Sequence, residues 1–70
     1  MERYEIILYW SKVDEVFVAD VPELDGCMAH GVTPEDALAN IKEAMQLWLD
    51  TAREFGDPIP EAKGRRLVFA

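Results

Sequence analysis

Seventy residues are enough for one small domain, near the lower limit for a single core held without staples. The one cysteine excludes an intramolecular disulfide, and no apolar run approaches the ~20 residues of a membrane span. Half of the residues are hydrophobic, which excludes disorder, and the net charge of −7 argues against direct nucleic-acid binding because an acidic body repels phosphate.

Arg3 to Trp10 is rich in Tyr, Ile, Leu and Trp and predicts a strand. Met1-Glu2-Arg3 leads straight into it and has no secretory-signal pattern, so a soluble, cytoplasmic protein is expected. Ser11 to Asp14 reads as a hairpin loop and Glu15 to Val21 as a second strand. Pro22 lacks an N–H and closes that strand. Glu23 to Gly26 is a turn, and Cys27 to His30 a short third strand. Gly31 suits a positive φ just before a helix.

Thr33 is a good N-cap, Pro34 fits the first helical position, and Glu35 and Asp36 put negative charge in the first turn. Leu38, Ile41, Met45, Trp48, Ala52 and Phe55 then recur at spacings of 3 and 4, one apolar helical stripe. Ala37 and Ala44 widen it. Gly56 is a natural stop, backed by Pro58 and Pro60, so the helix spans about 22 residues, or roughly 33 Å. Leu67 to Phe69 reads as a short edge strand.

This order predicts an α+β domain over residues 1–70. It is an antiparallel sheet of three to four strands with one long helix on one face, β-β-β-α-β. Both sheet faces are apolar. Tyr4, Ile6, Leu8 and Trp10 oppose Ile7 and Tyr9, while Val16 and Val18 oppose Phe17, Ala19 and Val21. One helix covers one face. The other needs a second copy, a different protein, or the chain's own terminal segments.

Chemistry is scarce. His30 and Cys27 are the only histidine and cysteine, and three residues apart on a strand they point to opposite faces, so no metal site is expected. Cys27 reads as a small buried hydrophobe. No base stands beside a nucleophile, and no Gly-rich phosphate loop exists. Asp20 and Glu5, the pair a residual nuclease would use, are isolated among apolar neighbours. Asp14, Glu15, Glu23 and Asp25 read as loop carboxylates. Asn40 is expected to hydrogen-bond the Gly31 region or the sheet edge. Neither a cofactor nor catalysis is expected.

The run Val21-Pro22-Glu23-Leu24-Asp25-Gly26-Cys27, followed by Gly31, Thr33, Glu35, Asp36, Ala37, Asn40, Glu43 and Ala44, resembles the HicB-like antitoxin family. Gly56-Asp57-Pro58-Ile59-Pro60 is similar to that family's turn after the helix, with Ala62 replacing a further proline. The resemblance implies a partial ribonuclease-H-like fold without that enzyme's activity. It also implies a partner, a small basic HicA-type toxin that cleaves messenger RNA and is masked by the antitoxin. Many members add a C-terminal DNA-binding domain. This sequence reaches Ala70 without one, so operator binding is not expected. The expected contact lies on the sheet face opposite the helix and on acidic loops, through Tyr9, Phe17, Asp14, Glu15 and Glu23. Self-association as a dimer or tetramer is expected too, and an orphan homo-oligomer without a toxin is the alternative.

Overall fold

The computed structural model describes residues 4–60. Its elements are β1 (Ile7–Ser11), β2 (Val16–Asp20), β3 (Met28–Gly31) and α1 (Pro34–Phe55). The strands form one antiparallel sheet in the order β1-β2-β3, and α1 packs across one face. The α+β class and the strand-strand-strand-helix order are as expected. The edge strand expected at 67–69 lies outside the described residues, and with it any ribonuclease-H-like strand order.

Each strand departs from its expected bounds for a local reason. Pairing in β1 starts only at Ile7, because the N–H of Glu5 donates to Glu23 Oε1 at 3.1 Å instead of joining a ladder. β2 begins at Val16, because Glu15 adopts a left-handed φ of 56° in the turn before it. β3 begins at Met28, because Cys27 still belongs to the turn: its N–H donates to the Leu24 carbonyl at 3.0 Å.

The helix matches its sequence signals at both ends. Thr33 is extended and its hydroxyl accepts from the Asp36 N–H at 3.1 Å, with Pro34 behind it. Gly56 takes φ 70° and ends the helix, and the Asp57 N–H returns to the Ala52 carbonyl at 2.8 Å. The buried stripe, however, is Ala37, Ile41, Met45, Leu49 and Ala52. Leu38 and Phe55, expected in the stripe, are exposed, and Leu49, which was not, is fully buried. The cause is at the helix entrance. A Cβ on Gly31 would lie 2.4 Å from the Ala37 nitrogen, so β3 and the first helical turn are nearly in contact. Only a small residue fits there, and this rotates α1 to put Ala37 inward rather than Leu38. Gly31 is thus required for close approach and not for the positive φ expected of it.

The core joins Ala19 and Val21 of the second strand and its exit, Leu24 and Cys27 of the next turn, and the helix stripe, with Tyr4 at its margin. The Tyr4 hydroxyl donates to the Pro60 carbonyl and so ties the segment after the helix to the chain before β1. Among the described residues, no helix is long and apolar enough to cross a membrane.

Candidate functional site

Strand register decides which side chains share a face. Pairing of Tyr9 with Val18 and of Val18 with His30 makes one row across the sheet; Ile7, Asp20 and Met28 make the next. Partners opposite each other in an antiparallel ladder point the same way. Tyr9, Val18, His30, Ile7, Asp20, Met28 and Val16 therefore form the face turned away from α1. Nothing among the described residues is packed on it as a second layer. Val18 is nonetheless buried, because it stands on the central strand between Tyr9 and His30.

The opposite face carries Leu8 and Trp10 of β1, Phe17 and Ala19 of β2, and Ala29 and Gly31 of β3. The helix lies mainly over β3, less over β2 and least over β1. Small residues on β3 admit it, whereas Trp10 meets Phe17 edge to face, with ring centroids 4.9 Å apart and planes at 66°. Leu8 and Trp10 consequently remain half exposed on the helix side of the β1 edge.

This geometry corrects the grouping of the expected contact residues. Tyr9 does lie on the open face. Phe17 does not: it faces the helix and packs against the core. The four-residue turn Lys12 to Glu15 sets Ser11 opposite Val16, so an odd residue of β1 always faces an even residue of β2. The three carboxylates also divide. Asp14 and Glu15 sit in the β1–β2 turn, Glu23 in the β2–β3 turn at the other end of the strands. Asp14 and Glu23 are partly engaged at home. The Ser11 hydroxyl donates to Asp14 Oδ2 and accepts from the Asp14 N–H, both at 3.3 Å. Glu23 holds the Glu5 N–H.

The motif residues act structurally. Leu24 plugs the core, 1% exposed, at the centre of a chain of turn bonds linking Val21, Leu24 and Cys27. Gly26 takes φ 73°, which no β-branched residue adopts easily. The Trp48 indole donates to the Asp25 carbonyl at 2.9 Å, fixing this turn to the helix. Asn40 donates to the His30 carbonyl at 2.8 Å, the sheet-edge bond expected of it. Cys27 is buried, and burial pushes its thiol up from its ordinary pKa, with the Asp20 carboxylate adding to the effect. A raised thiol is a poor nucleophile at neutral pH. Among the described residues, no three His, Cys, Asp or Glu side chains are grouped to hold a metal ion.

Two grooves flank β3. One, of about 480 Å³, opens on the uncovered sheet face and is lined by Asp14, Val16, Val18, Met28, Ala29 and His30. The other, of about 640 Å³, lies between the β2–β3 turn, the outer side of α1 and the Pro58 segment, where Asp25, Met28, Leu47, Trp48 and Asp57 meet. Leu47 and Met28 belong to no motif in the sequence. The available signal was Leu47 itself, a leucine off the apolar stripe, which proves 68% exposed.

The sequence agrees with a known family along nearly its whole length: residues 4–66 match the family described as HicB_like antitoxin of bacterial toxin-antitoxin system. The chain belongs to the HicB-like antitoxin family. Similar proteins include a UPF0150 protein of Thermoplasma acidophilum, 34% identical over 66 residues that cover 94% of each chain. A UPF0150 protein of Synechocystis is 37% identical over 58 residues, 83% of this chain and 78% of its own. No solved structure matches the chain significantly. In this HicB-like domain several residues that carry the resemblance, among them Leu24, Gly26, Gly31, Thr33 and Asn40, hold the fold together.

Proposed function

We propose that this HicB-like protein is a non-enzymatic antitoxin that neutralises a small basic ribonuclease of the HicA type by covering it. Family membership supports the antitoxin role. The observation that carries the mode of action is the sheet face that no described element covers, where Tyr9 and Ile7 flank Val18 and the acidic turn Asp14-Glu15 stands at one end. Apolar area supplies affinity, and the surrounding carboxylates, in a chain of net charge −7, attract a basic partner and speed encounter. No side chain of the antitoxin has to react: occupying the ribonuclease surface suffices.

The test is affinity capture of the tagged protein from its native lysate, followed by an RNA-cleavage assay on whatever is captured. A small basic protein, released by high salt, whose ribonuclease activity is lost on adding back the antitoxin, is the expected outcome. Recovery of untagged copies alone would overturn it in favour of an orphan homo-oligomer. One observation favours that second reading. Among the described residues β1 is an edge strand, and its residues Ile7 to Ser11 carry no charge and no proline, the devices that usually keep edges apart.

A further inference from the structure

The two grooves meet at one residue: Met28, half exposed on the outer edge of β3, lines both. β3 is an edge of the sheet among the described residues. Its outward-facing backbone groups follow from the bonds on either side. Cys27 uses its carbonyl toward Val21, at 3.0 Å, and His30 turns its carbonyl outward to Asn40, at 2.8 Å. In a strand these directions alternate, so Met28 presents both its N–H and its carbonyl outward. Asn40 occupies the carbonyl of His30, which among the described residues leaves the Met28 pair and the His30 N–H for an incoming strand.

We propose that the β3 edge captures an extended, basic segment of the antitoxin's protein partner as an added strand. Alternate side chains of that segment enter the two grooves on either side of Met28. Main-chain bonds to an edge give affinity in such recognition, and pockets for alternate side chains give specificity. The grooves decide the chemistry of the occupant. Val16 and Val18 floor one, Leu47 and Trp48 wall the other, so both accept apolar side chains or the stems of long ones. Their charged rims are acidic, with Asp14 on one and Asp25 and Asp57 on the other, and among the described residues neither is lined by a Lys or Arg. A second copy is disfavoured on this edge because it would bring the same carboxylates together. A strand alternating Lys or Arg with Val or Leu meets both requirements.

The inference rests on the antitoxin reading for the identity of the partner and is tested without it. The probe is a labelled peptide, Lys-Val-Lys-Val-Lys-Val-Lys, titrated into the full chain by fluorescence anisotropy, with amide shifts read by NMR. Binding should shift the Met28 and His30 amides. It should weaken at least about tenfold when the central Val of the peptide is replaced by proline, which removes a ladder donor. A similar loss should follow from Asp25→Lys with Asp57→Lys, two rim residues outside the core. No binding would overturn the proposal, as would binding indifferent to the proline or the rim changes, which would be charge attraction alone. Binding that appears only after Lys63, Arg65 and Arg66 are changed to Ser would also overturn it, by assigning the edge to the chain's own basic C-terminal residues. If the rim variant still captures and silences a ribonuclease while the native chain binds no peptide, the antitoxin reading stands and this surface is removed from it.

Discussion

The two turns of the sheet, of four and seven residues, have opposite characters. The β1–β2 turn, Lys12 to Glu15, bonds mainly to itself through Ser11 and displays Val13 at 93% exposure. The β2–β3 turn buries Leu24, closes on Cys27 and is pinned to the helix by Trp48. Both are acidic in sequence, yet one is a free projection and the other a joint of the core. An apolar residue in a turn therefore has no fixed meaning. What matters is whether the helix passes beneath that end of the sheet, and here α1 leans toward β3.

Truncating an apolar residue in each turn gives the largest expected difference. Leu24→Ala should lower stability by about 3 kcal/mol, whereas Val13→Ala should stay within about 0.5 kcal/mol, read from urea midpoints. Equal losses would mean that the two turns do not differ as described. The next test asks the same of the two sheet faces. Phe17→Ala should cost about 2 kcal/mol, less than a fully buried Phe because its ring is only partly covered. Tyr9→Ala should cost under about 1 kcal/mol while weakening capture of the partner. A destabilised Tyr9 variant with an unharmed Phe17 variant would reverse the assigned faces.

The Phe17 case shows what the sequence could not disclose. Alternation along one strand was legible, since Tyr4, Ile6, Leu8 and Trp10 share the helix side as the pattern requires. The relation between strands was not, because it depends on one residue of turn length, and a slip of one exchanges the faces of a whole strand. Helix ends were legible because Thr33, Pro34 and Gly56 act locally. Helix rotation was not, because the contact between Gly31 and Ala37 that sets it joins residues through space. The candidate grooves were least legible of all: Met28 and Leu47 come together only when β3 and α1 are packed.

Smaller effects refine the account of the β2–β3 joint. Trp48→Phe keeps the ring and removes the bond to the Asp25 carbonyl, for a loss of about 1 kcal/mol. Its near neighbour Cys27 supplies a pH test. The thiol's pKa is raised in the folded state, first by burial and then by Asp20. Above the ordinary thiol range the unfolded chain releases this proton while the folded chain keeps it, so ionisation favours unfolding. Stability should fall as pH rises through that range toward the raised folded value, and Cys27→Ala should flatten that part of the profile. An unchanged profile would show that Cys27 feels no such burial.

The weakest effect belongs to the free turn and has the opposite sign. Glu15 holds φ 56°, a left-handed conformation that costs a side-chain-bearing residue roughly 1 kcal/mol or more. Glycine removes that cost but loses more chain entropy on folding, so Glu15→Gly should gain only about 0.5 kcal/mol. Glu15→Ala separates conformation from charge. It removes the same carboxylate while keeping a Cβ, and should bring no comparable gain. If alanine and glycine stabilise equally, relief of acidic repulsion is the cause. If glycine alone does, the turn keeps a strained glutamate at the tip of the open face, where the proposed basic partner would meet it.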